Sequence, residues 1–264
     1  MVWNSALLGG KKTKLVCMHL SYEQYFDKVL GGWAGKSAGG ILGAPIEGFK
    51  EFNSLEITDE LFANNVPNDD LDLQILWIDL IHKLKRQPDA EEMAAHWLQH
   101  VGFPWNEYGI ATRNLQIGLL PPQSGLYNNQ YWMHSMGCPI RSEIWGMVFP
   151  GAPEMAARFA RMDAFIDHAG FSADAEVFLA ACAAICFEEA DLLKVMERAI
   201  SFVDKESMMA GLFYDVCDWY RKFGFDVCRG KIKSRYGDAD FTSAPMNIGF
   251  TILSLLDCRG SIEG

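Results

Sequence analysis

The sequence lacks any cysteine spacing typical of a zinc knuckle or of a disulfide framework. Its seven cysteines are odd in number and scattered, without a CxxC pair, which favours a reducing, cytoplasmic setting. No block of Lys or Arg is present, and the formal net charge is −11. This acidic balance argues against a nucleic-acid groove or an anionic membrane surface as the main partner.

Long hydrophobic runs are also missing. The longest, residues 177–187, is followed by two glutamates and is far shorter than the roughly 20 residues that cross a bilayer. Residues 1–20 place three lysines after a short apolar piece, the reverse of the secretory order. We therefore expect no membrane partner, and we expect residues 1–20 to form a poorly ordered lead-in.

No stretch shows the period-two alternation of a β-strand, whereas helical periodicity is frequent. The chain has 264 residues, half of them hydrophobic, and can bury one large core. The sequence therefore predicts an all-α, single compact multi-helix domain of about ten helices over residues 21–264. The clearest predicted helices are 22–44, 69–86, 89–99, 153–168, 172–187, 191–203, 207–223 and 244–257.

The first predicted helix carries glycine at every fourth position, at Gly31, Gly35, Gly39 and Gly43. Each glycine costs a helix about 1 kcal/mol relative to alanine, so the stripe needs a compensating reason. Close packing or room for a ligand supplies one, and we expect this helix to be buried at the centre of the domain. Glu47 follows the end of the helix and is a candidate site carboxylate, although a lone acid after a turn is usually solvated.

Three carboxylates crowd the start of the second predicted helix, where Asn68 is followed by Asp69, Asp70 and Asp72. The helix dipole favours each ionised acid there by about 0.3–1 kcal/mol but cannot cancel their mutual repulsion. A divalent cation can, and oxygen ligands suit Mg²⁺, Mn²⁺ or Ca²⁺. The alternative is that Asn68 or Asp69 caps the helix while Asp70 and Asp72 face water.

Other segments carry side chains that suit ligands. Residues 102–109 mix aromatic and polar side chains and are predicted to form a loop that lines a small-molecule pocket, with a surface loop as the alternative. His96 and His100 have the i, i+4 spacing of a chelating pair, but without an HExxH pattern structural histidines are favoured. His168 ends a predicted helix, as a partner of the helix dipole or as a ligand contact.

Four pieces together resemble the ADP-ribosylglycohydrolase family, the group that includes the dinitrogenase-reductase-activating glycohydrolases. They are residues 31–48, which end in Gly-Ala-Pro-Ile-Glu-Gly, residues 68–70, residues 137–141 and residues 150–168. They occur in family order within about residues 27–256. The resemblance implies an all-α hydrolase with two Mg²⁺ or Mn²⁺ ions, which cuts the glycosidic bond of a small-molecule or protein-linked ADP-ribosyl group.

The same resemblance implies roles for individual residues. Asp69 and Asp70 are expected as metal ligands, with Asn68 standing where the family more often has Thr or Ser. Glu47 is expected beside the scissile ribose as a catalytic proton-transfer group, and Asp70 is expected to be both catalytic and metal-binding. A metal-activated water is expected to attack the anomeric carbon. The substrate-binding residues expected around the diphosphate and adenosine are Asn106, Glu107, Tyr108, Gly109, Gly137 and His168.

One family element is expected to be missing. The family has a second acidic cluster after its last helices, and the chain ends before that point; Asp238 and Asp240 resemble it only superficially, because they precede the last predicted helix. The alternative to an enzyme is therefore a non-catalytic ADP-ribose-binding or structural member of the fold. Two other classes of all-α, metal-dependent enzymes that act on diphosphates fit less well. The DDxxD motif of prenyl-diphosphate chemistry needs an acid where Leu73 stands. HD-type phosphohydrolases need His before Asp, whereas here Asp167 precedes His168.

Overall fold

The computed structural model describes residues 20–49, 58, 68–102, 106–258 and 260. Over these ranges the chain forms helices and no strand, which confirms the all-α prediction. The predicted lead-in lies outside the described residues except for Leu20. The helices are α1 (Tyr22–Gly43), α2 (Asp69–Leu84), α3 (Ala90–His100), α4 (Asn106–Gln116), α5 (Gln123–Leu126), α6 (Glu143–Val148), α7 (Pro153–Asp167), α8 (Gly170–Ile185), α9 (Leu192–Ala199), α10 (Met208–Tyr236) and α11 (Ala244–Asp257).

Helix ends follow local sequence signals. Ser21 caps α1 and forms a capping box with Gln24, and Asp89 does the same for α3 with Glu92, so that backbone donors left free by the helix are satisfied. Pro153 is the first residue of α7, where its missing N–H costs nothing. None of the helices in the described part of the chain is both long and apolar enough to span a membrane.

Helix α10 continues beyond its predicted end at residue 223. Gly224 has φ 74° and ψ −175° inside the helix, a conformation that suits glycine and kinks the chain there. The following segment, residues 225–236, returns to helix and buries Cys228, Ile232 and Tyr236 against the rest of the domain. The predicted end at residue 223 is therefore the position of a kink, and the helix itself ends at Tyr236.

The centre of the domain is α8, which packs against α6, α7, α9, α10 and α11. Twelve of its sixteen residues are buried. Many are alanines, including Ala180, Ala181 and Ala184, and small side chains allow several helices to approach one axis closely. The predicted core helix, α1, is instead peripheral, because no residue of α1 is buried.

The predicted glycine stripe of α1 makes no close packing contact, but Gly31 and Gly35 line a cavity together with Glu143 and Met147, which agrees with the alternative reason, room for a ligand. Gly31, Gly35 and Gly39 are exposed, and a Cβ placed on any of them meets nothing within 4 Å. The neighbouring glycines make the close approaches instead, with Gly32 against Met147 and Gly40 against Asn68. Both faces repeat at helical spacing, so periodicity alone could not tell which of them packs against the domain.

A close backbone approach joins α6 to α8 at Gly146. A Cβ built there lies 2.6 Å from Ala184 N and 2.7 Å from Ala183 C, and backbone atoms cannot move aside as a flexible side chain can. We therefore expect Gly146→Ala to lower the free energy of unfolding by about 2 kcal/mol or more, measured by urea titration. The matched control is Gly211→Ala in α10, where a Cβ has open space; it should instead stabilise by about 0.5–1 kcal/mol. Equal effects of the two substitutions would contradict the packing.

Candidate functional site

The acidic start of α2 combines a capping asparagine with acids of unequal exposure. Asn68 is the N-cap, and its Oδ1 accepts a hydrogen bond from the Asp70 backbone N–H at 3.0 Å. Asp69 and Asp72 are exposed, whereas Asp70 is partly buried. Capping by Asn68, the alternative reading of this segment, is therefore present, but Asp70 does not simply face water.

Asp70 lies in a mixed charge cluster between α1, α2 and α6. Lys36 Nζ is 3.7 Å from Asp70 Oδ2 and 3.2 Å from Glu143 Oε1, and it also donates to the Ile140 carbonyl at 2.6 Å. Gln74 Nε2 donates to the other Glu143 oxygen at 3.1 Å. One lysine thus serves two carboxylates, which leaves negative charge at the start of α2.

The surroundings of Asp70 disfavour its ionised form. Burial is the largest cause that raises its pKa to about 6; Lys36 opposes the shift, while the nearby charges of Asp69 and Glu143 add to it. A raised carboxyl pKa means that the ionised form lacks sufficient stabilisation from its surroundings. A further cation would supply it.

The donors at this position fit a hard divalent ion. Asp69 and Asp70 offer carboxylate oxygens and Asn68 an amide oxygen, which are the ligand types that Mg²⁺ and Mn²⁺ prefer. The three α2 acids do not converge as a ready-made trio among the described residues. Such a sparse set suits Mg²⁺ in particular, because this ion usually keeps several waters and takes one or two protein carboxylates plus substrate oxygens.

Four of the predicted substrate-binding residues lie together in the interior. Glu107 Oε1 is 3.7 Å from His168 Nε2, and a Cβ on Gly137 would collide with both side chains. The Tyr108 hydroxyl donates to the Gly137 carbonyl at 3.4 Å. Glycine at 137 is thus required by the close approach of Glu107 and His168, a reason different from the diphosphate contact expected from the sequence.

Two polar atoms of this interior cluster, Glu107 Oε2 and His168 Nδ1, have no hydrogen-bond partner in the described part of the chain, although His168 Nδ1 is 2.9 Å from Asp167 Oδ1. Both atoms are buried, and burial raises the pKa of Glu107 while His168 opposes that shift. Buried acceptors are normally satisfied, so an unpartnered one marks either a functional group or a place for a ligand. His168 itself is fully buried, with Nε2 3.0 Å from Ser135 Oγ.

Asn106 and Gly109 are placed differently from the prediction. The predicted loop 102–109 is wrong for its second half, because residues 106–109 form the first turn of α4. Asn106 is exposed and has φ 52°, a left-handed conformation that asparagine tolerates. The aromatic–polar alternation that indicated a loop instead puts Glu107 and Tyr108 on the inner face of a helix, and residues 103–105 lie outside the described ranges.

The start of α2 and the interior cluster are connected through residues 137–141. Lys36, which pairs with Asp70, also donates to the Ile140 carbonyl at 2.6 Å. Tyr108 donates to the Gly137 carbonyl, and burial is the main cause that raises the pKa of Tyr108 well above its usual range.

A buried ion network that the sequence did not reveal supports this region. Arg141 is completely buried; its Nη atoms hold both oxygens of Asp167 at 2.7 and 2.9 Å, and its Nε donates to Asp163 at 2.8 Å. Trp145 Nε1 donates to the second Asp163 oxygen at 2.9 Å. The Arg141 Nη1 also donates to the Gly137 carbonyl at 2.9 Å, so the network fixes the backbone beside Glu107 and His168.

The network also shifts the pKa values of its buried acids. Burial opposes ionisation of Asp167, but Arg141 and His168 outweigh it and lower its pKa to about 2. Glu176 is buried beside them, and burial together with the Asp163 charge raises its pKa well above the ordinary value. At neutral pH Asp167 is therefore ionised, whereas burial disfavours the charged form of Glu176.

Glu47 and the acidic loop before α11 lie on the outside of the domain. Glu47 is exposed in the turn after α1, and a Cβ on the adjacent Gly48 would be 3.9 Å from Phe241. Asp240 Oδ1 accepts from the Thr242 N–H and hydroxyl at 2.9 and 2.8 Å. The two segments are neighbours across this contact, and the catalytic role of Glu47 stays a prediction.

A second cluster, the α2–α3 histidine cluster, is defined by Asp79, His96 and His100. It is the one group in the described residues whose His, Cys, Asp or Glu ligand atoms converge, with three such atoms within 4.8 Å of one another. His96 Nε2 is 3.1 Å from Asp79 Oδ2, and the two imidazole centroids are 4.3 Å apart. Burial is the first cause that lowers the pKa of His96, with His100 adding to it, so the ring is neutral near pH 7.

Comparison with known proteins agrees with this architecture. The fold and site define an all-α protein with two features: carboxylates suited to hard cations at the start of α2, and a buried polar cluster that contains Glu107 and His168. A family model described as ADP-ribosylglycohydrolase matches residues 21–257, and the chain belongs to this family. No curated protein and no solved structure matches the chain significantly.

Proposed function

We propose that the chain is a metal-dependent hydrolase that cleaves the glycosidic bond of an ADP-ribosyl group or a related ADP-ribose conjugate. Family membership over most of the chain supports a glycohydrolase. The single observation that carries the proposal further is the crowding at Asp70, whose pKa is raised to about 6, first by burial and then by neighbouring acids. Strongly perturbed carboxyls of this kind concentrate at functional sites.

Asn68, Asp69 and Asp70 are the residues that would hold Mg²⁺ or Mn²⁺. When bound, such an ion supplies a Lewis acid that orients ribose hydroxyls and makes a bound water more acidic. Lys36 holds Asp70 and Glu143 in place from α1, and we assign it a positioning role. Glu47 is proposed to move the proton between the attacking water and the departing group.

The adenosine side of the substrate is proposed to contact the interior cluster, with the predicted residues Asn106 and Gly109 at its edge. The free Oε2 of Glu107 is an acceptor suited to a hydroxyl or an amino group of the nucleoside. Tyr108 donates a hydrogen bond to the Gly137 carbonyl, and His168 lies next to the other oxygen of Glu107. In this proposal the anionic diphosphate does not contact Glu107. Backbone amides bind it instead, because in an acidic protein they suit an anion better than carboxylates do.

The function is tested by hydrolysis of an ADP-ribosylated protein and of an O-linked ADP-ribosyl analogue. The protein is stripped with EDTA and assayed with and without added Mg²⁺ or Mn²⁺, and released ADP-ribose is quantified by chromatography. We expect release only with the metal. Absence of release under all conditions together with intact ADP-ribose binding would favour the alternative, a non-catalytic ADP-ribose-binding or structural member of the fold.

The Glu107 contact predicts a selective loss of affinity. Glu107→Gln keeps the shape of a buried side chain but replaces one acceptor oxygen with an amide donor, so we expect ADP-ribose binding to weaken about 10-fold by isothermal titration. Glu154→Gln, an exposed position in the first turn of α7, is the matched control and should bind like the parent. His168→Ala is expected to weaken binding as well; unchanged affinity in that variant would remove His168 from the site.

A further inference from the structure

We propose that the α2–α3 histidine cluster is a second metal site, selective for Zn²⁺ and similar borderline divalent ions and separate from the hard-cation site. Two imidazoles and one carboxylate are the ligands of many zinc sites with an open fourth position. The α2 acids offer only oxygen atoms, which zinc favours less. The two sites therefore differ in metal class.

The geometry suits one ion between the two helices. His96 and His100 are i, i+4 neighbours on α3, and Asp79 projects from α2. With zinc–ligand bonds of about 2.0–2.2 Å, tetrahedral ligand atoms lie roughly 3–3.5 Å apart. The His96 Nε2 to Asp79 Oδ2 separation of 3.1 Å already satisfies this, and the third ligand atom is within 4.8 Å of both.

His96 is the least exposed of the three ligands. It is 4% exposed, and its ring centroid is 4.3 Å from that of His100. His100 is exposed, so solvent reaches the cluster and completes the coordination.

Lys83 competes with a metal ion for the Asp79 carboxylate. Lys83 Nζ lies 2.7 Å from Asp79 Oδ2, so a bound cation has to replace this ammonium at the carboxylate. Lys83 is half exposed and one turn along α2, so its side chain can swing into solvent at small cost. Removal of the lysine charge should therefore strengthen metal binding, an effect opposite in sign to removal of a ligand.

The two proposed metal sites are well separated. Asp79 comes nine residues after Asp70 in α2, which corresponds to about 13.5 Å of helix rise. One ion cannot use both sets of ligands. Zinc at the histidine cluster would instead join α3 to α2 and stabilise the helix whose first turn carries the hard-cation acids.

The test is titration of the full-length, EDTA-stripped chain with Zn²⁺, followed by calorimetry, and with Co²⁺, followed by its visible absorption. We expect one equivalent of Zn²⁺ to bind and to raise the melting temperature. His100→Ala, which changes an exposed side chain, should weaken Zn²⁺ binding more than 10-fold and abolish the thermal shift. Lys83→Gln should bind Zn²⁺ more tightly than the parent.

Two control variants separate this site from its neighbours. His82→Ala removes an exposed α2 histidine that faces Lys85 and should leave Zn²⁺ affinity unchanged, as should Asp70→Asn at the other site. Unchanged Zn²⁺ affinity in His100→Ala, or loss of Zn²⁺ binding in Asp70→Asn, would overturn the proposal. So would a parent protein that binds no Zn²⁺ at millimolar concentration.

Discussion

Arg141→Met is expected to lower the free energy of unfolding by about 3–5 kcal/mol, because it leaves two carboxylates buried without their cation. Asp163 and Asp167 are both completely buried and both bonded to Arg141. Methionine fills much of the volume of arginine. The expected loss of stability therefore comes mainly from the missing charge and hydrogen bonds and less from a cavity. Urea unfolding followed by circular dichroism measures the change.

The control for this substitution is Arg161→Met on α7, the helix that carries Asp163 and Asp167. Arg161 pairs with Asp174 at 3.1 Å, but its side chain is 37% exposed, and such pairs contribute about 1 kcal/mol or less. The double variant Arg141→Met/Asp167→Asn should recover part of the lost stability because it removes one stranded charge. A loss from Arg141→Met no larger than that from Arg161→Met would contradict the buried network.

Asp70→Asn is expected to lower metal-dependent hydrolysis at least about 100-fold and at the same time to stabilise the fold at pH 7. The pKa of Asp70 is raised from 3.8 to about 6, first by burial. The protonated form is thus favoured in the folded state, and the stability it contributes is present below about pH 4 and is lost as the pH rises through 6. Asparagine mimics the protonated form at every pH.

The size of this stabilisation is modest. The Asp70 side chain is 33% exposed, so solvent screening reduces the gain to on the order of 1 kcal/mol at pH 7, with little gain at pH 4. Asp72→Asn, an exposed acid in the same helical turn, is the control and should alter activity less than about threefold. A stabilised Asp70→Asn variant with full activity would separate Asp70 from catalysis.

Much of the fold was predictable because it depends on local signals. The bounds of α11 are the predicted 244–257, and α2 begins at Asp69 after the predicted cap. Helix caps, prolines and apolar periodicity act over a few residues and can be recognised in the sequence. Periodicity alone could not show which of two similar helix faces packs against the domain, as the glycines of α1 illustrate.

The α7 helix illustrates a further limit at the site. Its apolar residues Met155, Phe159, Met162 and Phe165 repeat at helical spacing and pack against the core, with Phe159 buried and the others partly buried. The buried residues also include Asp163 and Asp167, and only the partner arginine, 22 residues before Asp163, makes burial of those charges favourable. Two acids at i, i+4 among alanines were the available signal, and its meaning depended on a contact between distant residues.

Binding of ADP-ribose with and without Mn²⁺ tests the central claim, that Asp69 and Asp70 hold a hard cation against an ADP-ribosyl group. Because coupling between two ligands is reciprocal, Mn²⁺ should strengthen ADP-ribose binding to the parent by at least about fivefold in calorimetric titration. The Asp69→Asn/Asp70→Asn variant should bind ADP-ribose equally with Mn²⁺ and with EDTA. Equal affinity in the parent under the two conditions would contradict the account.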